Sequence, residues 1–343
     1  MTIVESRAVT GGVDTHLDVH VAAALDSIGG LLGVEAFPTT TAGYEALLEW
    51  LSSLGSVAKV GVEGTGSYGA GLTRYLQDAG IAVVEVNRAD RQDRRRQGKS
   101  DPLDAISAAR SAQSGRAAAL PKGRDGEVEA IRTLLVAKRS ARRDRISAVN
   151  QLRGLLSSGP DDLREHFAHR NAAALVSQAA ALRPRAGDAV DQATRFTLRE
   201  LGRRARSLDQ EIARLDQLIE PLVAKRAAGL LSLFGVGPDS AATLLVAAGD
   251  HPERLRSEAA FAQLCGVAPI PASSGKVVRH RLNRAGDRHA NQALWRIVFV
   301  RMGSDPRTRA YVERRTAEGK SKLEIVRCLK RYVAREVYPY IRG

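Results

Sequence analysis

The sequence predicts a mixed α/β domain followed by a mainly helical remainder. Up to about residue 115, short apolar runs that suit strands alternate with segments in which leucines recur at helical spacing. Beyond about residue 126, long segments of helical or heptad spacing replace the strand pattern. A chain of 343 residues is long enough for several domains. We therefore predict an α/β domain over 1–125, a helical region over 126–227 and a mainly helical domain over 228–343.

The first domain contains eight predicted elements. Three short apolar runs separated by turn residues indicate a meander of strands, after which helices and strands alternate. The elements are the strands Gly12–Asp14, His20–Leu25 and Leu31–Phe37, the helix Ala42–Leu54, the strand Val57–Glu63, the helix Tyr68–Ala79, the strand Ile81–Asn87 and the helix Asp101–Ser114. This β-β-β-α-β-α-β-α order is that of an RNase H-like domain. It implies a mixed sheet with helices on both faces.

Carboxylates lie at the ends of these predicted elements. Asp14 ends the first strand and Glu63 ends the fourth, while Asp101 and Asp104 share one face at the start of the third helix. The first and fourth strands are neighbours in this fold, so their carboxylates converge. Four such groups repel one another unless divalent cations bind. Oxygen donors suit Mg²⁺, and two ions about 3.5–4 Å apart can clamp a phosphoryl transfer.

Two other interpretations apply to residues near this cluster. Ser100–Asp104 is also a good helix start, with Asp101 as the N-cap and Pro102 as the first helical residue, so capping is an alternative role for this aspartate. His16 and His20 have a His-x3-His spacing. On a strand, such residues straddle both faces, and no third ligand is evident, so we assign them no metal role.

The middle region is predicted to be helical, with a basic run and a heptad seam. The run supplies five candidates for contact with an RNA or DNA backbone, a solvated helix surface being the alternative: Lys138, Arg139, Arg142, Arg143 and Arg145. The seam predicts a coiled coil that pairs either within the chain or between chains. Its apolar positions are Leu198, Leu201, Ala205, Leu208, Ile212, Leu215, Ile219 and Leu222. We expect Pro221 to end the helix.

The third region combines a glycine turn with a basic loop. Gly235 and Gly237 precede a run of alanine and leucine, a pattern like a helix-hairpin-helix turn, in which backbone amides approach a DNA phosphate. An ordinary helix–helix turn uses similar residues. The loop Gly266–Lys276 contains serines, and cations follow it. Such cations can lower the pKa of a serine and stabilise a pentacoordinate phosphate, although a merely polar loop is the alternative.

Charge is unevenly distributed along the chain. The formal net charge is +14 overall, −7 over residues 1–87 and +12 over residues 251–343. A cationic rear half attracts a phosphate backbone, so composition favours a nucleic-acid partner. The two cysteines are too few for a disulfide framework. No apolar run approaches a membrane span and no signal pattern opens the chain, so we expect a cytoplasmic protein without a membrane partner.

Several runs of the sequence carry the motifs of a known family. Those of the first domain are Gly12–His16, Val62–Tyr68 and Lys99–Ala105. Those of the last domain are Gly235–Pro238, Cys265–Pro269, Ser273–Lys276 and Arg284–Arg288. In content and order they resemble the DEDD transposases of the bacterial insertion sequences known as the one-ten family. The resemblance covers nearly the whole chain.

The resemblance implies a RuvC-like DEDD domain, a coiled-coil linker and a C-terminal transposase domain with a nucleophilic serine. The residues that would bind Mg²⁺, or Mn²⁺ in its place, are Asp14, Glu63, Asp101 and Asp104. Ser274 would link covalently to DNA, with Ser273 as the alternative. The implied partners are double-stranded DNA at the element ends and the target, a structured non-coding guide RNA, and further copies of the chain in a dimer or tetramer. The expected location is the bacterial nucleoid.

The last domain also departs from the family pattern. Around its glycine, Arg284 and Asp287 stand where Lys and Asn are expected, and Asn291 stands where an arginine is common. Arginine keeps the charge of lysine, whereas the other two changes leave the local phosphate contacts open. The remaining candidates for nucleic-acid contact in this domain are Gly235, Gly237, Lys276, Arg279, Arg281, Arg284 and Arg288.

Two other functions fit the same residues. A metal-dependent junction nuclease would use the carboxylates and water and would produce free DNA ends. A non-catalytic nucleic-acid-binding protein would use the carboxylates as helix caps and the basic rear for binding, and its binding would be salt-sensitive without strand breakage.

Overall fold

The structure is a computed structural model that describes residues 7–86, 100–123, 126–183, 185, 187–251, 255–273 and 280–342. Contacts within the chain divide it into two compact units, Met1–Asp125 and Gly126–Gly343. The first unit contains a mixed sheet with helices, and the second is mainly helical. The predicted fold class, a mixed α/β part followed by a helical part, is therefore confirmed. Among the described residues, no helix has the length and apolar character needed to span a membrane.

The first unit contains a five-stranded sheet with the order β3-β2-β1-β4-β5. Its strands are β1 (Ala8–Thr15), β2 (Val19–Leu25), β3 (Leu31–Pro38), β4 (Ser56–Glu63) and β5 (Val83–Val86). β2 is antiparallel to β1 and β3, whereas β4 is parallel to β1 and β5. The predicted meander and mixed sheet are therefore confirmed. The central position of β1 beside β4 brings their carboxyl ends to the same edge.

Helices cover both faces of this sheet. They are α1 (Thr41–Ser53), α2 (Ala70–Asp78) and α3 (Asp101–Gln113). A Cβ atom on Gly11 would lie 3.1 Å from the side chain of Leu51 in α1, whereas one on Gly12 would lie 2.0 Å from the backbone nitrogen of Ala109 in α3. Successive residues of a strand face opposite sides of the sheet. α1 and α3 therefore pack on opposite faces, as the sequence predicts.

Small residues let α3 approach the sheet closely. The residues of α3 that are buried against it include Ala105, Ala108, Ala109 and Ala112. On the sheet side, Gly12 and Gly61 lie beneath the backbone of this helix, where a Cβ at Gly61 would be 2.9 Å from a helix carbonyl. Because neither glycine has a side chain to separate the two layers, α3 is held close to β1 and β4.

The second unit is built from helices and one short hairpin. Its helices are α4 (Glu127–Ser158), α5 (Asp161–His166), α6 (Ala172–Ala180), α7 (Ala189–Leu231), α8 (Pro238–Ala248), α9 (Glu258–Leu264), α10 (Arg288–Ser304), α11 (Pro306–Ala317) and α12 (Lys322–Arg342). The hairpin pairs β6 (Ile270–Pro271) with β7 (His280–Arg281). One apolar core joins α4 and α7 to the helices from α8 onward, and a second joins α4, α6 and α7.

The heptad seam of α7 packs against α4 of the same chain. Leu198, Ala205 and Ile219 are buried, and the other seam residues are partly buried. Ion pairs also join the two helices, from Lys138 to Asp216 and from Arg145 to Asp209. The seam therefore pairs within the chain, while supercoiling of the pair stays a prediction.

The expectation that Pro221 ends this helix is wrong. α7 continues through Pro221 to Leu231, with a non-helical φ/ψ of −154° and 58° at Ala227. A proline inside a helix removes one hydrogen bond and costs about 3 kcal/mol. Burial of Val223, Ala227 and Leu230 beyond the proline offsets that cost, because these side chains enter the larger core.

The turn between α7 and α8 contains the two glycines singled out in the sequence. Gly235 has a φ of +79°, a conformation that favours glycine, and Gly237 is the N-cap of α8. The Nε of Arg301 in α10 donates a hydrogen bond of 2.8 Å to the carbonyl of Phe234 and holds this turn. Binding of a DNA phosphate by this turn stays a prediction.

Candidate functional site

The carboxyl ends of β1 and β4 carry the first two predicted carboxylates. Val13 pairs with Val62 in the parallel register, so Asp14 and Glu63 follow side by side. The hydroxyl of Thr15 donates a hydrogen bond of 2.8 Å to the carbonyl of Glu63, which ties the strand ends together. Asp14 is buried, and Glu63 is partly exposed. The sheet thus places both residues at one edge.

The start of α3 lies at the same edge. Asp101 is inside the helix and Ser100 is the N-cap, so the expectation that Asp101 caps the helix is wrong by one residue. The difference arises because Ser100 has the extended backbone that an N-cap requires and Asp101 is already helical. Its carboxylate is therefore available for other contacts. Asp104 lies one turn later and is buried.

His16 joins Asp14 and Asp101, although its sequence pattern predicts no metal role. Its Nε2 lies 3.1 Å from Oδ2 of Asp14 and 3.5 Å from Oδ1 of Asp101. The His-x3-His spacing directed attention to a pair with His20, but His20 is fully buried and stacks on Tyr44 instead. The available signal was position alone, since His16 directly follows the strand that carries Asp14.

Electrostatics at this edge favour a bound cation. Burial raises the pKa of the Asp14 carboxyl above its ordinary value, His16 acts to lower it, and the carboxylates of Asp104 and Asp101 raise it further. Burial also lowers the pKa of His20 to about 4, so this ring is neutral near pH 7. A divalent cation would relieve the repulsion among the aspartates, because it attracts each of them.

The donor set fits a divalent metal ion. One ligand atom each from Asp14, His16 and Asp101 lies within 4.8 Å of the others. Carboxylate oxygens suit Mg²⁺ or Mn²⁺, and imidazole is a common ligand of transition metals. The side chains of His16 and Asp101 are 44% and 49% exposed, so the cluster is open to a substrate. Of the predicted four carboxylates, the structure brings two into this group directly.

The other two predicted carboxylates, Asp104 and Glu63, lie near this group according to two separate observations. Asp104 acts on the pKa of Asp14, which places its charge nearby. Glu63 follows Val62, the partner of Val13, and so lies beside Asp14 in the parallel register. Their metal-binding role stays a prediction.

The predicted serine site falls mostly outside the described residues. Ser274, Lys276 and Arg279 lie there, whereas Ser273 is described and exposed. The predicted arginines that follow are all exposed: Arg281, Arg284 and Arg288.

The positions that depart from the family pattern have structural contacts. The carboxylate of Asp287 accepts hydrogen bonds from the amides of His289 and Ala290 and caps α10. The side-chain amide of Asn291 donates to the carbonyls of Cys265 and Gly266, at 2.9 and 3.2 Å. Asn291 therefore holds the backbone around Gly266, whereas Asp287 fixes the start of α10.

The basic run of α4 is largely engaged within the chain. Lys138 is 2% exposed and pairs with Asp216 and Asp239. Arg142 also pairs with Asp239, at 2.6 Å, and Arg145 pairs with Asp209. The remaining two differ, since Arg139 contacts Thr243 at 3.4 Å and Arg143 is 77% exposed. In this conformation Lys138 has no surface to offer a phosphate, while Arg143 does.

Comparison with known proteins identifies the family. A family model for the DEDD transposases of IS110, described as a transposase, matches residues 11–159. A second, described as the transposase IS116/IS110/IS902 family, matches residues 227–313. The first match contains all four predicted carboxylates and His16. The second contains the region from the glycine turn through Ser274 to the start of α11.

Two curated relatives come from insertion elements. The insertion element IS900 uncharacterized 42 kDa protein of Mycobacterium paratuberculosis is 31% identical over 134 residues, which cover 38% of this chain and 34% of that protein. The insertion element IS110 uncharacterized 43.6 kDa protein of Streptomyces coelicolor is 37% identical over 93 residues, which cover 27% of this chain and 23% of that protein. The chain thus spans about a third or less of the length of these relatives. Two models of one family match both units in the expected order, and the chain therefore belongs to the IS110 family of transposases.

Proposed function

We propose that this chain is a DNA recombinase that excises and inserts a mobile DNA element. The observation that carries the proposal is the meeting of Asp14, His16 and Asp101 at the open edge of the sheet. Acidic clusters of this kind serve phosphoryl transfer, because the metal they bind offsets charge on the reacting phosphate. Membership of a transposase family supports DNA as the substrate.

The metal site would use Asp14 and Asp101, with Glu63, Asp104 and His16 completing the ligands. Bound Mg²⁺ or Mn²⁺, most simply as two ions, would stabilise negative charge on the phosphate and the leaving oxygen. The chain's own contribution is to hold these donors in place. Tight packing of α3 on Gly12 fixes the aspartates of the helix over the strand ends.

Ser274 is the proposed nucleophile, with Ser273 as its alternative. In the cleavage step the serine oxygen bonds to phosphorus, one sugar oxygen leaves, and the serine proton ends on that oxygen. The products are a DNA end joined to the protein and a free hydroxyl end. The exposed arginines Arg281, Arg284 and Arg288, which follow Ser274 in the sequence, support this proposal, because guanidinium groups can stabilise a transferred phosphate.

We further propose the partners and organisation expected from the family. They are double-stranded DNA at the element ends and target, a structured non-coding guide RNA, and a dimer or tetramer of the chain. The basic residues of the second unit would contact nucleic acid, and DNA binding would place the protein at the nucleoid. The coiled-coil region over 126–227 and the domain boundaries belong to the same proposal.

The test is a search for a covalent protein–DNA adduct. Purified protein is incubated with Mg²⁺, RNA transcribed from the element's flanking region and DNA carrying the element ends, and the products are run on a denaturing gel. We expect an adduct that Ser274→Ala abolishes, that the matched variant Ser273→Ala retains, and that Asp14→Asn removes together with metal-dependent cleavage.

The other outcomes separate the competing functions. An adduct that survives Ser274→Ala but not Ser273→Ala assigns the neighbouring serine. Metal-dependent cleavage with free ends and no adduct indicates a nuclease that uses water. Salt-sensitive DNA binding without any cleavage indicates a binding protein.

A further inference from the structure

A basic groove lies on the second unit. It has a volume of about 580 Å³ and is bounded by the loop after α9, by β7 and by the first half of α12. The charged side chains that line it are Arg281, Glu324, Lys320, Arg327, Lys330 and Arg331. Cations outnumber the single carboxylate, so the groove attracts anions. β7 is also the strand that follows the segment containing Ser274 along the chain.

Lys330 is the unusual member of this lining. It is 8% exposed, and its Nζ donates a hydrogen bond of 2.8 Å to Oδ1 of Asn291. Within the part of the chain that the structure describes, Lys330 forms no ion pair with a carboxylate. Asn291 is neutral, so it orients the ammonium group without balancing its charge. An ammonium has three donors, and this contact uses one of them.

Among the described residues of the second unit, Lys138 is a second buried lysine, and its charge is compensated. Lys138 is 2% exposed and pairs with two carboxylates, those of Asp216 and Asp239. Burying a charge without such a partner costs several kcal/mol. Two lysines of similar burial therefore differ in two respects: no described carboxylate pairs with Lys330, and its side chain lines a groove.

The neighbouring charges increase this imbalance. Burial lowers the pKa of Lys330, and the nearby Arg327 lowers it further. The charge of Arg331 is already balanced by a two-pronged contact with Glu258. The carboxylate of Glu324 is occupied at the surface by the amide and hydroxyl of Ser321. Glu324 also attracts Lys320 and Arg327. Lys330 is thus the buried cation of the groove that no described carboxylate balances, and Arg327 is the neighbouring cation that acts on its pKa.

We propose that Lys330 and Arg327 bind a backbone phosphate of a DNA strand in this groove, with Asn291 orienting the ammonium group. The assignment to DNA rests on the proposed recombinase function. The site itself follows from the buried charge. An anion would supply the compensation that the described residues lack, and the open groove admits an extended strand. Because Asn291 also holds the carbonyls of Cys265 and Gly266, a phosphate here would be fixed relative to the loop that leads into β6.

The test measures DNA binding without cleavage, in buffer that contains a chelator instead of Mg²⁺. Fluorescence anisotropy with a labelled DNA duplex is recorded over a range of salt concentrations for Lys330→Gln, Arg327→Gln and the control Lys322→Gln, an exposed lysine on the same helix. We expect Lys330→Gln to weaken binding about tenfold. We also expect it to reduce the slope of log affinity against log salt by about 0.9, the value for one phosphate contact. The control should change neither.

Thermal unfolding gives a second measurement that does not need DNA. Because phosphate also stabilises folded proteins without a binding site, the comparison is between variants. Inorganic phosphate, relative to chloride at equal ionic strength, should raise the Tm of the parent chain and of Lys322→Gln more than that of Lys330→Gln. Should Lys330→Gln fail to fold, Arg327→Gln carries both comparisons. This assay also separates the two proposals, because the phosphate effect can persist when no adduct forms.

Three results would overturn the inference. One is a salt slope unchanged in both Lys330→Gln and Arg327→Gln. Another is an equal loss in Lys322→Gln, which would indicate general surface attraction. The last, from the same titration repeated with an RNA duplex of the same sequence, is a loss confined to RNA, which would remove the assignment to DNA.

Discussion

Replacing Gly12 by alanine should displace α3 and weaken the metal site. The added Cβ would lie 2.0 Å from the nitrogen of Ala109 and 2.5 Å from the carbonyl oxygen of Ala105, and both are backbone atoms that cannot rotate away. Ordinary contact begins at 3.4 Å, so α3 must move by about 1.4 Å. Overpacking of a core typically costs 1–3 kcal/mol. A 1 Å misplacement of reacting groups can cost about a hundredfold in rate.

Gly11→Ala is the matched control for this change. Gly11 is the adjacent residue on β1, but its Cβ would meet only side-chain ends, those of Leu51 and Val60, at 3.1–3.3 Å. These can adjust, and they lie on the face away from α3. The assay is metal-dependent DNA cleavage as Mn²⁺ is titrated, together with thermal unfolding of each variant. Gly12→Ala should need more metal and cleave about a hundredfold more slowly, while Gly11→Ala stays near the parent. Equal cleavage by Gly12→Ala and the parent would refute the argument that this glycine sets the position of the aspartates.

Three further predictions follow from the described contacts. His16→Ala should raise the Mn²⁺ concentration for half-maximal cleavage by roughly tenfold or more; an unchanged titration would remove His16 from the site. Because the pKa of Asp14 is raised, protons compete with the metal for this carboxylate at a higher pH than they would for an ordinary aspartate. Metal affinity, measured by calorimetry as the pH is lowered, should therefore begin to fall at a higher pH. In the same range the metal-free chain should gain stability as protonation relieves the buried charge, and Asp14→Asn should abolish both trends. Lys138→Met should lower the free energy of unfolding, measured in urea, by about 2 kcal/mol. The loss is smaller than for a pair of fully buried partners, because Asp239 is partly exposed. The control Arg143→Met should change the free energy of unfolding by less than about 0.5 kcal/mol.

Local sequence patterns predicted the first unit well. Alternation of apolar runs with helical segments located its strands and helices, since each pattern reflects burial of one face within a few residues. The parallel pairing of β1 with β4 then brought Asp14 and Glu63 to one edge. His16 was missed because its partner Asp101 lies far along the chain, and no spacing rule joins a residue after β1 to the start of α3.

Long-range pairing explains the errors in the second unit. Lys138 looked like a surface cation because its neighbours in sequence are basic, yet its carboxylate partners are 78 and 101 residues away. Pro221 looked like a helix end because the local rule is strong. The core that offsets its cost is assembled from α4, α8 and later helices. In both cases tertiary packing outweighed a local preference.

The ion pairs between α4 and α7 select a single register for this antiparallel helix pair. Lys138 and Arg145 are one heptad apart, and so are their partners Asp216 and Asp209. An apolar heptad seam alone would tolerate a slip of seven residues. Such a slip would place Lys138 opposite Asp209 but would leave Arg145 opposite Gly202 and Asp216 without its lysine. The two long helices therefore cannot slide by a heptad without breaking both ion pairs, so charge fixes the offset of one helix along the other.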